Sequence, residues 1–202
     1  MRRTNLYAVL VVVLVGLLAA GCAKPPQQDI DAAKASMAAA EADASKWAPD
    51  AWAKVTDAMN QVNAELQAQE GKFALFRSYN HTKELLTAVN GAVDAAKQAA
   101  AANKEQAKKD AEASIAAAQG AVKSAEDAMK ALEGCKRKPK GFQKDMEMTK
   151  SQWDGLNSQL AGLDAQMKSE DYKGAKTAAD SLKASADALA KSLGETKTKI
   201  KC

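Results

Sequence analysis

The sequence predicts an all-α protein: two three-helix antiparallel bundles, related as an internal repeat and sharing one long central helix. Three observations predict it. The body is rich in Ala, Lys, Asp, Gln and Glu, and no β-branched run of strand type follows the N-terminal apolar segment. Apolar residues recur with the 3-4 spacing that keeps one face of a helix against a partner. The same order of seams and turns then occurs twice along the 202 residues.

The N-terminus stands apart from the fold. Arg2 and Arg3 precede an uncharged apolar run, Leu6 to Leu18, and Ala19-Ala20-Gly21 are small residues directly before Cys22. A charged start, a short apolar stretch and a small-residue end are the layout of a secretory signal. The run falls short of the roughly 20 residues a helix needs to span a bilayer, and nothing later in the chain is as long. Leu18-Ala19-Ala20-Gly21-Cys22 resembles the bacterial lipobox, with Ala19 where that pattern most often has Leu. The resemblance implies cleavage before Cys22, a diacylglyceryl group on its sulfur and an acyl chain on its nitrogen. At about 0.8 kcal/mol per buried CH₂ such chains hold a protein firmly at a membrane. Ala23 rather than Asp follows, which in a Gram-negative cell resembles the outer-membrane sorting pattern. The expected place is therefore the outer membrane, facing the periplasm, or the cell membrane in any other bacterium.

The expected organisation is a cleaved signal over 1–21 and a lipidated Cys22 with a Pro-Pro tether over 22–28. An N-terminal bundle follows over 29–100, a helical connector over 101–110 and a C-terminal bundle over 111–202. Loss of Arg2 and Arg3 lowers the formal net charge of +4 to +2, so the basic balance is no sign of nucleic-acid binding.

Each helix is read from its seam. The first carries Ile30, Ala33, Met37, Ala40, Ala44 and Trp47; the second Trp52, Val55, Met59, Val62 and Leu66. Pro49 fits just inside the second, where its missing N–H costs nothing. The third is expected to begin near Phe73, with Leu75, Tyr79, Thr82, Leu86, Val89 and Val93, and to resume as Ala111, Ile115, Ala118, Val122, Ala125, Met129 and Leu132. Between Phe73 and Gly134 there is no proline, which predicts one helix of about 60 residues, roughly 90 Å long at 1.5 Å per residue. Lys97 to Asp110 has no large apolar residue and reads as a solvated helical spacer; a break near Asn103 is the competing reading. The fourth helix carries Met146, Thr149, Trp153, Leu156, Leu160, Leu163 and Met167; the fifth Tyr172, Ala175, Ala179, Leu182, Ala186, Leu189 and Leu193. Gly71 and Gly134 are placed as left-handed residues ending helices, and Ser169 as the N-cap of the fifth.

The repeat pairs Ile30, Ala33, Met37, Ala40, Glu41, Ala44 and Trp47 with Ile115, Ala118, Val122, Ala125, Glu126, Met129 and Leu132 at one constant offset. Pro49 and Trp52 pair with Pro139 and Phe142 at a larger one; Phe76, Leu86 and Val93 pair with Tyr172, Leu182 and Leu189 at a larger one still. Offsets that grow at turns are what insertions in turns produce.

Tracing the chain places Cys135, after the third helix, at the same end as Cys202, after the fifth. In an oxidising periplasm the two are expected to form a disulfide. Closing about 67 residues gives on the order of 4 kcal/mol in the chain-entropy account. The same end gathers Lys136, Arg137, Lys138, Lys140, Lys197, Lys199 and Lys201, a patch suited to an anionic partner such as cell-wall carboxylates or acidic lipid head groups. If the central helix is straight, this end lies far from the lipid anchor. The bland reading gives these lysines to solvent and to helix C-terminal dipoles.

Enzymatic chemistry finds little footing. The only histidine, His81, has Glu84 one turn away but no nucleophile pattern beside it, and reads as an exposed structural residue. There is no Gly-rich phosphate loop, no zinc spacing and no paired-acid motif, so no cofactor, metal or catalytic residue is expected. Trp47-Ala48-Pro49-Asp50-Ala51-Trp52 and Asp171-Tyr172-Lys173-Gly174-Ala175 resemble the two turns of a helical domain of unknown function found in bacterial envelope lipoproteins. That resemblance implies a fold and a compartment, and no activity. Two functions are then expected to compete: a structural spacer or adaptor acting through helical surfaces and the basic tip, or a module that captures a small ligand or peptide between helices.

Overall fold

The computed structural model describes residues 23–202; the signal segment and Cys22 lie outside the described residues. The described chain is all-helical: α1 (Gln27–Trp47), α2 (Pro49–Glu70), a 3-10 turn (Ala74–Phe76), α3 (Asn80–Glu133), α4 (Phe142–Lys168) and α5 (Tyr172–Lys199). It divides into two compact units at Asn103/Lys104. The helix α3, with 54 residues, is unbroken across that point and gives one helix to each unit.

In the first unit a single residue, Ala48, closes α1 and opens α2: its N–H donates to the Ala44 carbonyl and its carbonyl accepts from Trp52 N. Pro49 sits in the first turn of α2, where no intrahelical donor is needed. The two helices pack along each other through Ile30, Ala33, Ala40, Ala44 and Trp47 on α1 and Val55, Met59 and Val62 on α2, all buried. The first part of α3 adds Thr82, Leu86, Val89, Val93, Ala96 and Ala100. Contacts at both ends fix its direction. Ser78 N donates to the Gln69 side chain at one end, and Asn103 reaches the Trp47 carbonyl at the other. The unit is an up-down-up bundle.

The second unit repeats that layout. Ala118, Ala121 and Val122 of α3 share a core with Leu156 and Leu163 of α4 and Ala179, Leu182 and Ala186 of α5. Nearer the chain terminus, Met129, Leu132, Phe142, Met146 and Leu193 form a second cluster around Cys135. Alanine at so many seam positions lets helices approach closely while burying little apolar area per turn. At the far end of this bundle Lys104 Nζ meets Glu170 Oε2 at 2.6 Å, so the α4–α5 turn lies beside the start of this part of α3.

Several local expectations are corrected. The third helix begins at Asn80, not near Phe73, because the chain after Gly71 makes a 3-10 turn stabilised by Phe76 N donating to Phe73 O. Phe76 is therefore exposed and is no counterpart of buried Tyr172; Tyr79 holds the buried aromatic position. Gly71 is right-handed and Gly134 has no positive φ. The left-handed C′ positions belong to Glu170 (φ 58) and Lys201 (φ 50) instead. Each completes a Schellman closure, with Asp171 N donating to Gln166 O and Cys202 N to Lys197 O. Ser169 closes α4, and Asp171 is the N-cap of α5, accepting from Gly174 N at 3.1 Å. A side chain at Gly174 would collide with that carboxylate.

Candidate functional site

The most chemically distinct region of the second unit is the end where α3 and α5 both stop. The core cluster around Leu132 and Phe142 carries Cys135 into a buried position. The Schellman closure at Lys201 turns the last residue back towards it. The Cys135 and Cys202 sulfurs consequently lie at disulfide distance, with Cα atoms 5.5 Å apart.

Around this pair the structure gathers the two basic segments. Residues 134–141 connect α3 to α4, and Gly141, with φ 93, makes the left-handed step into α4 that few side-chain-bearing residues tolerate. Arg137, Lys138 and Pro139 of this loop face Lys199, Ile200 and Lys201 across a shallow cleft of about 380 Å³. Lys136 and Lys140 are exposed in the same loop, and Lys197 is half-buried on the last turn of α5. Lys138 Nζ lies 5.7 Å from the Phe142 ring centroid, a cation–π contact that tethers one cation to the core. Among the described residues no carboxylate lies within ion-pairing distance of any of the seven cations. Lysines at two neighbouring helix C-termini also complement the negative ends of those helices.

His81 and Glu84 lie on an exposed face of α3, with Nδ1 3.2 Å from Oε2. No group of three or more metal-ligating side chains comes together among the described residues. No described helix is long and apolar enough to cross a membrane. Two shallow grooves follow the α4–α5 face, one of about 400 Å³ lined by Gln152, Leu156, Ser185 and Ser192 among others, the second lined by Leu163, Gln166 and Leu182 among others. The Gln166 carbonyl oxygen Oε1 and the Trp153 indole N–H are buried without hydrogen-bond partners.

Sequence reasoning missed one surface feature, the exposed Phe73, Leu75 and Phe76, because their spacing continues the seam that truly begins at Tyr79. Ser78 and Asn80, both good helix-starting residues, were the available sign.

No protein-family model matches the chain, and neither a curated protein nor a solved structure matches it.

Proposed function

We propose that this protein is a lipoprotein of the bacterial envelope, acylated at Cys22, that acts without catalysis as a structural spacer or adaptor and engages an anionic surface through its cationic end. The observation that carries the reading is that Arg137 and Lys138 face Lys199 and Lys201 across one cleft, on the two segments that bring Cys135 and Cys202 together and that also carry Lys136, Lys140 and Lys197. Covalent closure of that pair belongs to the same reading. In an oxidising compartment a disulfide would hold the C-terminus in place and keep Lys199 and Lys201 opposite Arg137 and Lys138. The partner chemistry is a dense array of carboxylates or phosphates, such as cell wall or acidic head groups, because an exposed patch of unpaired cations gains most from many weak contacts.

Co-sedimentation with purified cell wall and with anionic vesicles, at low and moderate salt, tests this. Binding that weakens with salt and is lost when Arg137, Lys138, Lys199 and Lys201 become Gln supports it. Binding equal to that of this variant sinks it.

The second reading, capture of a ligand or peptide between helices, has the α4–α5 grooves and the unpartnered Gln166 oxygen in its favour. Both grooves are partly open to solvent, which suits an extended peptide better than an enclosed small molecule.

A further inference from the structure

Among the described residues four large apolar side chains are exposed, and three of them lie in one turn: Phe73 (69%), Leu75 (50%) and Phe76 (75%). We propose that this turn is a membrane-contact knuckle that enters the interface of the bilayer carrying the acylated Cys22 and stands the first unit end-on against it. This rests on the lipoprotein reading above.

The turn is braced, so the exposure is built into the fold. Arg77 Nε donates to the Lys72 carbonyl at 3.0 Å and Nη2 to the Glu70 carbonyl at 2.9 Å, satisfying groups that the end of α2 leaves without helical partners. Ser78 N donates to the buried Gln69 Oε1 at 3.0 Å, and Gln69 is held in turn by Glu65. The rings of Phe73 and Phe76 sit 6.3 Å apart, held outside the core as one patch.

Its position matches an anchor. The turn closes α2 and opens α3, which is the end of the first unit where α1 starts. Ala23 follows Cys22 directly, and five residues of chain, at no more than about 3.6 Å each, separate Cys22 from Gln27. An acyl group on Cys22 therefore lies within about 18 Å of the start of α1. Lys72 and Arg77 flank the apolar tip in the order found at interfacial segments, where apolar groups sit below the head groups and cations among them. A protein partner fits less well. Three partly exposed side chains present well under the roughly 800 Å² per partner of a stable protein interface. A bilayer sets no such minimum once a lipid tether holds the chain beside it.

The test uses the full acylated chain in phosphatidylethanolamine–phosphatidylglycerol vesicles containing a nitroxide-labelled lipid. An environment-sensitive fluorophore is placed by Leu75→Cys and, at the opposite end of the same unit, by Asp50→Cys. Both positions are exposed, Leu75 in the 3-10 turn and Asp50 in the first turn of α2, so their replacement leaves the core untouched. The expected result is several-fold stronger quenching at position 75 than at position 50, little changed by moderate salt and reduced by Phe73→Ser with Phe76→Ser. Equal quenching at both positions, or water-like emission at position 75 in protein whose acylation is confirmed by mass, overturns the knuckle and leaves the lipoprotein reading standing. An unacylated Cys22 overturns that reading and this inference together.

Discussion

Asn103 donates its side-chain amide to the carbonyl oxygen of Trp47 at 2.8 Å, although 56 positions separate the two in sequence. Trp47 is the last residue of α1, so its carbonyl has no helical donor of its own. The bond locks the α1–α2 turn to α3 at the point where the first unit ends. Asn103→Ala removes that donor and should lower the stability of the first unit by about 1 kcal/mol. Urea unfolding followed by tryptophan fluorescence measures it; an unchanged midpoint would show that solvent replaces the amide without cost.

Thr82 is fully buried, and its hydroxyl has no hydrogen-bond partner. Valine has nearly the same shape and no polar atom to desolvate. Thr82→Val should raise stability by about 1 kcal/mol. A loss of stability in thermal unfolding would mean that an ordered water satisfies the hydroxyl.

Cys135 and Cys202 stand 67 residues apart in sequence and at disulfide distance in space. Reduction, or Cys202→Ser, should destabilise the second unit by up to about 4 kcal/mol, since the chain between them regains its freedom on unfolding. Non-reduced protein should be lighter than reduced protein by two hydrogens. Free reactivity of Cys202 with iodoacetamide before reduction would contradict the bond.

Glu170 holds a left-handed conformation that glycine adopts without strain, yet its carboxylate pairs with Lys104. Glu170→Gly should release about 1 kcal/mol of backbone strain. It also removes an ion pair worth up to about 1 kcal/mol at low salt. The two effects nearly cancel there, and the stabilising one should emerge once salt screens the pair. Melting curves at two ionic strengths decide this; a variant less stable at high salt would show that the carboxylate braces the turn by more than charge.

Acid should weaken the helices through two carboxylates, half-buried Glu126 and exposed Asp180. A hydrogen bond from Lys130 holds Glu126 below the usual carboxyl range, with the Lys130 and Lys123 charges adding to it. Hydrogen bonds from Lys176 and Ser114 do the same for Asp180. A carboxyl depressed in the folded state stabilises above its unfolded value and loses that contribution as pH falls through its folded one. The lysines are raised by the same bonds, so their share is complete below their unfolded value and fades as pH rises through the folded one. Stability should therefore decline below about pH 4, and less steeply in Glu126→Gln with Asp180→Asn. Denaturant midpoints across that range provide the measurement, and identical pH profiles would remove these pairs from the explanation.

The helical seams were legible because burial follows the 3-4 pattern directly: Ile30, Ala33 and Ala40, or Ala175, Ala179 and Leu182, face inward as their spacing requires. Chain direction followed from seam lengths, and that alone brought Cys135, Cys202 and the two lysine-rich segments to one end. The α2–α3 turn was not legible. Phe73 and Phe76 stand at three-residue intervals before Tyr79, so a helical period runs on through residues the chain uses in a 3-10 turn. The helix ends misled for a related reason. Gly71 and Gly134 are residues that usually take left-handed geometry, while the positions that do take it, Glu170 and Lys201, are set by Schellman hydrogen bonds and carry no mark in their side chains.

Among the described residues, thirteen of the buried core positions are alanine. A methyl group exposes little new apolar surface when a helix melts, and exposed apolar surface is what raises the heat capacity of an unfolded chain. The increment per residue should fall below the usual ~12–15 cal/mol/K. Such a protein has a shallow dependence of stability on temperature, keeping a similar margin from cold to warm conditions at the expense of a high maximum.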